Sequence, residues 1–210
     1  MNSFNLLPQL DKYINRFNFE KLSAIRIDIL DNVAEKIYDE LIETDHVKLN
    51  FICTHNSRRS QMAQIWAHTA ANYFGLNIQA FSGGSESTAF NESAVSAMQN
   101  IGFKVISKGT KNPVHFLFFS ADKDPIITFS KKYDDPFNPE KDSIAILVCA
   151  DADENCPFIP QAKIRIPLRY KDPKVGDGTE REALLYDERA KQIGTEIFYM
   201  FEQIKINLPT

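Results

Sequence analysis

Apolar side chains at Leu22, Ile25, Ile29, Val33, Ile37 and Leu41 recur in steps of three and four, the spacing of one stripe along a helix. The first 45 residues therefore read as helical, with a shorter segment from about Leu10 to Phe17 folding back on the longer one. Such a stripe is a packing face, and residues 1–45 read as a helical extension. From Val47 the pattern changes. Val47-Lys48-Leu49-Asn50 alternates and Phe51-Ile52-Cys53 runs apolar, as a strand entering a core does. A short polar loop follows, and then Gln61 to Tyr73 reads as a helix, with Met62, Ile65, Trp66, Thr69 and Tyr73 at helical spacing. Ile78 to Phe81 predicts a second strand stopped by Ser82-Gly83-Gly84, Asn91 to Ile101 a helix, and Phe103 to Ile106 a short strand. The alternation of strand and helix argues for βαβ units and a parallel sheet.

Between about 112 and 142 two apolar runs, Val114 to Phe119 and Ile126 to Phe129, flank a polar stretch and predict two adjacent strands. Ser143 to Cys149 is the most strand-like segment and is expected to be central. Ala162 to Ile166 predicts a last strand, and Glu180 to Ile204 a closing helix with Leu184, Ile193, Ile197, Phe201 and Ile204 inward. The expected division is a helical extension over 1–45 and an α/β unit over 46–210, carrying a strand-rich insertion at about 112–142.

Composition narrows the function classes. With 24 Lys+Arg against 28 Asp+Glu the net charge is -4, and no basic run exceeds two residues. Binding to nucleic acid or an anionic membrane through bulk charge is therefore not expected. No apolar run approaches the roughly 18 residues of a spanning helix, and the N-terminus lacks a basic-then-apolar leader pattern. The expected location is the cytoplasm, where thiols stay reduced. The 3 cysteines are then not a disulfide framework. No set of four ligands at metal-like spacing is present, and His46, His55, His68 and His115 are scattered, so no metal is expected.

The informative segment is Cys53-Thr54-His55-Asn56-Ser57-Arg58-Arg59-Ser60, set between a strand and a helix, where doubly wound sheets bind ligands. The N–H groups of such a loop, with the N-terminus of the next helix, form a concave anion site. A cysteine at its base sits in a positive field that favours the thiolate. Arg59 offers a planar fork for two oxygens of a tetrahedral oxyanion. Ser60 can donate to the thiolate, and Asn56 can hold the loop's shape. Cys149 and Cys156 stand seven residues apart around a polar, acidic segment. Read on their own, they are equally two unrelated thiols or a pair that meets when that segment folds back.

The loop resembles that of the low-molecular-weight tyrosine phosphatase superfamily, and within it the thioredoxin-coupled arsenate reductases, which carry C-x-G-N-x-C-R-S. Cys53, Asn56, Arg59 and Ser60 match; His55 stands where glycine is usual and Arg58 where many members carry a second cysteine. Gln61-Met62-Ala63 also fits the reductase branch. So does the stretch from Cys149 to Pro157, close to the reductases' C-S-D-A-D-x-N-C-P. The resemblance covers roughly residues 47 to 206. It implies a flavodoxin-like fold with a four-stranded parallel sheet flanked by helices, and an oxyanion loop formed by Thr54, His55, Asn56, Ser57, Arg58, Arg59 and Ser60. It further implies a relay in which Cys53 attacks arsenate, Cys149 attacks Cys53, and Cys156 attacks Cys149. A thioredoxin-type reductant then reduces the last disulfide, with no bound cofactor. The family's acid is an Asp-Pro after the last strand, which places Asp172-Pro173 in that role ahead of Asp135-Pro136 and Asp124-Pro125. Lys174-Val175 follows where phosphotyrosine enzymes usually have a tyrosine pair. Gln64 stands where a carboxylate would be needed for the potassium site of some reductases, so that site is not carried over. The resemblance thus favours an arsenate reductase. A phosphomonoesterase acting through a phosphocysteine is the alternative, and a non-catalytic oxyanion-binding or sensing domain a third reading. The N-terminal helices could supply a homodimer surface.

Overall fold

The structure, a computed structural model, describes residues 5–150 and 159–209. Helix α1 (Pro8–Ile14) starts on a proline, whose missing N–H costs nothing in a first turn. Helix α2 (Ala24–Thr44) is capped by Ser23, whose hydroxyl accepts the Arg26 N–H at 3.3 Å, and ends at Asp45 in a left-handed conformation. Then come β1 (Val47–Cys53), α3 (Arg59–Phe74), β2 (Ile78–Gly84) and α4 (Glu92–Ile101). The chain continues through β3 (Lys104–Lys108), β4 (Val114–Phe118), β5 (Ile126–Thr128), β6 (Ser143–Leu147) and β7 (Ala162–Pro167), and closes with α5 (Glu182–Asn207).

Strands β2, β1, β6 and β7 form, in that order, a four-stranded parallel sheet. This is the expected flavodoxin-like arrangement. Every residue of β6 and all but one of β1 are buried, as strands covered on both faces must be. A second sheet of order β3-β4-β5 is antiparallel throughout. The insertion is therefore strand-rich, as expected, but β3 does not continue the parallel sheet that the βαβ alternation implied. Its connection to β4, residues 109–113, is far too short for the crossover a parallel neighbour needs.

Three further expectations change. The buried stripe of α2 runs through Leu30, Val33, Ile37 and Leu41, whereas Ile25 and Ile29 are exposed. Arg26 takes the first position on that face, 2.6 Å from the buried carboxylate of Glu196 and stacked over the Tyr170 ring. On α5, Leu184 is exposed and the inward row begins at Tyr186 and Ala190. Strand β2 does not stop at Ser82 but continues through Gly83 and Gly84. At Gly84 a Cβ would lie 2.4 Å from the Glu86 carbonyl and 2.6 Å from that of Thr54, so a side chain there would collide with the loop after β1. The N-terminal segment finds its partners at Trp66 of α3, which is in ring contact with Tyr13, Phe17, Phe103 and Phe198 and donates to the Ala190 carbonyl at 2.9 Å.

Candidate active site

Strand β1 delivers Cys53 to the C-terminal edge of the parallel sheet, and α3 starts six residues later. Between them every carbonyl is bonded away from the loop. Thr54 O accepts from Glu86 N (2.8 Å), His55 O from Ser130 Oγ (2.9 Å) and Asn56 O from Gln61 Nε2 (2.9 Å). Ser57 O accepts from Asn91 N (2.9 Å) and Arg58 O from Met62 N (3.0 Å). Because a peptide's N–H and C=O point in opposite directions, this turns the N–H groups to the concave side, in line with the positive end of α3. The left-handed residue of the loop is Asn56 (φ +46°), a residue type that tolerates it, and not His55. His55 therefore fits where glycine was expected. Its imidazole is exposed, 3.4 Å from Glu86 at the rim.

Cys53 is buried, with Sγ 3.0 Å from Ser60 Oγ. Asn56 Nδ2 donates to the same Ser60 oxygen at 2.8 Å. Arg59 Nη1 donates to Tyr170 O at 3.0 Å and Nη2 meets Asp172 Oδ2 at 2.5 Å. Asp172 is fixed through its other oxygen, which accepts from Lys174 N at 3.0 Å and caps the 3-10 turn Pro173–Gly176. Cys53, His55, Ser57, Arg58, Arg59 and Asp172 line one cavity of about 10 Å³. The predicted nucleophile, arginine and acid thus come together. Asp135 lies elsewhere, in the turn after β5, where its carboxylate accepts from Phe137 N.

Cys149 follows β6, the neighbour of β1, and is buried with Sγ 3.7 Å from Thr54 Oγ1. Cys156 lies outside the described residues. Among the described residues no cluster of His, Cys, Asp and Glu could hold a metal, and no helix is long and apolar enough to cross a membrane.

Several members of the site have no local sequence signal. Arg58 donates through Nε to Tyr186 Oη (2.6 Å) and through Nη2 to Asp177 (3.0 Å), while Tyr186 donates to the other Asp177 oxygen (2.8 Å). Burial works against the Arg58 charge, but the Tyr186 hydrogen bond and the carboxylates of Asp172 and Asp177 outweigh it and hold its pKa above the ordinary value. Burial pushes the Tyr186 hydroxyl up to about 12. These partners stand more than a hundred residues from Arg58, too far for any motif to announce them.

No protein-family profile matches the chain. The arsenate reductase of Bacillus subtilis (strain 168) is 30% identical over 148 residues, 70% of this chain and 89% of that protein. That of Bacillus licheniformis is 31% identical over the same length and shares. Among solved structures, the low molecular weight phosphotyrosine phosphatase of Vibrio cholerae O395 matches with a TM-score of 0.50 and 15% identity, over 75% of this chain and 95% of that one, a likeness of fold. The fold, the Cys53–Arg59 loop and the extent of the match to these relatives agree: the chain belongs to the arsenate reductase family built on the low-molecular-weight phosphatase fold.

Proposed function

We propose that the protein reduces arsenate by a three-thiol relay within a catalytic unit spanning residues 46–210, to which residues 1–45 are an extension. The observation that carries this reading is the placement of a second buried thiol, Cys149, at the end of the strand beside β1, in contact with the residue that follows Cys53. Hydrolysis through a phosphocysteine does not require it; in a phosphatase it could serve only as a redox guard of Cys53.

The chemistry follows from the site. The oxyanion enters the loop against the N–H groups and the Arg59 guanidinium, and the Cys53 thiolate attacks arsenic. An S–As bond forms, an As–O bond breaks, and the departing oxygen leaves as water with a proton from Asp172. The Cys149 thiolate then attacks Cys53 Sγ. The S–S bond forms, the S–As bond breaks with its electron pair left on arsenic, and arsenite departs. Cys156 attacks Cys149 Sγ and frees Cys53 as a thiolate. A dithiol reductant of the thioredoxin type reduces the resulting Cys149–Cys156 disulfide with two electrons. Ser60 serves as hydrogen-bond donor to Cys53. Thr54, His55, Asn56, Ser57 and Arg58 complete the oxyanion loop, and no bound metal or cofactor takes part.

The test supplies arsenate with thioredoxin, its reductase and NADPH, beside an aryl phosphate assayed for phosphate release. The expected outcome is NADPH oxidation that Cys149→Ser abolishes, while any aryl phosphate turnover survives that substitution. Phosphate release without arsenate-driven NADPH oxidation would overturn the reading in favour of the phosphatase.

A further inference from the structure

The oxyanion loop is not held by the parallel sheet alone. The segment that leaves β5 runs along its outer side. Lys131 N donates to Asn56 Oδ1 at 2.9 Å, and Lys131 O accepts from Gly84 N at 3.0 Å. Ser130 Oγ donates to His55 O and accepts from Thr88 N at 2.8 Å. Asn112, in the connection from β3 to β4, clasps both sides of Ser130: its Oδ1 accepts from Ser130 N at 3.1 Å and its Nδ2 donates to Ser130 O at 2.7 Å. Ser130 and Lys131 are buried, Asn112 is exposed.

The polarity of this chain of hydrogen bonds has a chemical result. An N–H can only donate, so the Lys131 N–H fixes the Asn56 carboxamide with its oxygen outward and its NH₂ toward Ser60. Ser60 Oγ then accepts from Asn56 Nδ2, and the hydroxyl hydrogen is left for Cys53 Sγ, 3.0 Å away. A reversed carboxamide would present its oxygen to Ser60, draw the hydroxyl hydrogen to itself and leave the sulfur without that donor. The geometry points to Asn112, Ser130 and the Lys131 main chain as positioning residues: the insertion orients Asn56 so that Ser60 donates to the Cys53 thiolate. This rests on Cys53 being the nucleophile, and goes beyond the loop's own residues to the antiparallel sheet that holds them.

The experiment measures alkylation of Cys53 by iodoacetamide as a function of pH in the full chain, with peptide mapping to count label at Cys53 apart from Cys149 and Cys156. Asn112→Ala, on the surface, and Ser130→Ala are expected to slow Cys53 labelling at neutral pH by roughly threefold to tenfold, part of the worth of one hydrogen bond to the ionised form because they act through Asn56, and to move its profile to higher pH. Ser130→Thr, which keeps the hydroxyl, restores the parent profile, and Cys149 labelling does not change. A parent-like Cys53 profile in Asn112→Ala would overturn the proposal. So would a change shared equally by Cys149, since that reports general loosening. Because labelling needs no arsenate, a failed reductase assay would sink the proposed activity and leave this inference standing.

Discussion

Ile146 and Ile106 are the same residue inside strands of the same length, β6 and β3, yet Ile146 has 0% of its surface exposed and Ile106 has 43%. The difference belongs to the sheets. The parallel sheet is covered on both faces by helices, so β6 is buried at all five positions. The antiparallel sheet packs one face inward through His115, Leu117, Ile126 and Thr128 and leaves the other to solvent. Each sheet contributes to the site from its own strength. The parallel sheet places Cys53 and Cys149 on neighbouring strand ends, where a displaced backbone would cost the whole core. The antiparallel sheet needs only the segment that leaves β5, residues 130–131, to grip the loop, and its outer face is free to vary.

The largest effect that would test this contrast is expected at Ile146. Ile146→Ala removes a side chain from the middle of the parallel sheet and should lower unfolding free energy by about 2–5 kcal/mol, through lost burial and the cavity left behind. Urea denaturation measures it. A loss below about 1 kcal/mol would mean that the sheet relaxes around the gap, and that its rigidity is not what fixes the two thiols.

How much of this was legible in the sequence follows the same division. Strand β1, the loop and α3 could be read because local pattern and local contacts coincide there: a buried run, a polar loop, a helix period. The roles expected for Arg59, Asp172 and Ser60 rested on that context and on family resemblance, and the structure gathers these residues around Cys53. The antiparallel pairing of β3 was legible in principle, from the brevity of residues 109–113, but the preceding strand–helix alternation pointed the other way. The outward turn of Ile25 was not legible. It depends on Arg26 finding Glu196, 170 residues away, which makes a charged residue acceptable on a buried face. The hold of Asn112 and Ser130 on the loop was likewise hidden, since each of its bonds joins a side chain to a backbone group distant in sequence, which carries no side-chain signature.

A smaller effect, of opposite sign, is expected at the junction of the two sheets. Lys131 is 2% exposed, and its buried ammonium has no hydrogen-bond partner and lies near the rings of Phe129 and Phe137 at 4.8 and 5.6 Å. Burial pulls its pKa down to about 8, against a weaker upward pull from Asp135. Below pH 8 both folded and unfolded chains carry the proton and the full cost of burying it is present. Between pH 8 and the ordinary lysine value of about 10.4 only the unfolded chain binds it, so stability rises with pH across that window. Lys131→Met should therefore stabilise the protein at pH 7 by about 1–3 kcal/mol, the rings offsetting part of the cost. The advantage should fade toward pH 10.5. A variant less stable than its parent at pH 7, or a difference that does not change with pH, would show that the ammonium is compensated in place.

The smallest effect is expected on the outer face of the antiparallel sheet, and it is the sharpest test of the contrast. Ile106, Phe116 and Ile127 stand opposite one another across β3, β4 and β5, so their side chains form one row on that face. Ile106 and Ile127 are 43% and 36% exposed, and the ammonium groups of Lys104 and Lys108 lie over the rings of Phe118 and Phe116. Ile106→Thr keeps the branched side chain that suits a strand and removes apolar surface that is largely in water already. The change in unfolding free energy should stay within about 0.5 kcal/mol, and Cys53 labelling should match the parent, because the Asn112–Ser130 clasp is made by the β3–β4 connection and the segment after β5, not by this row. A loss above about 1.5 kcal/mol in urea denaturation would place this row in a packed interior. The two sheets would then form a single cooperative core, and the loop would owe its shape to both alike.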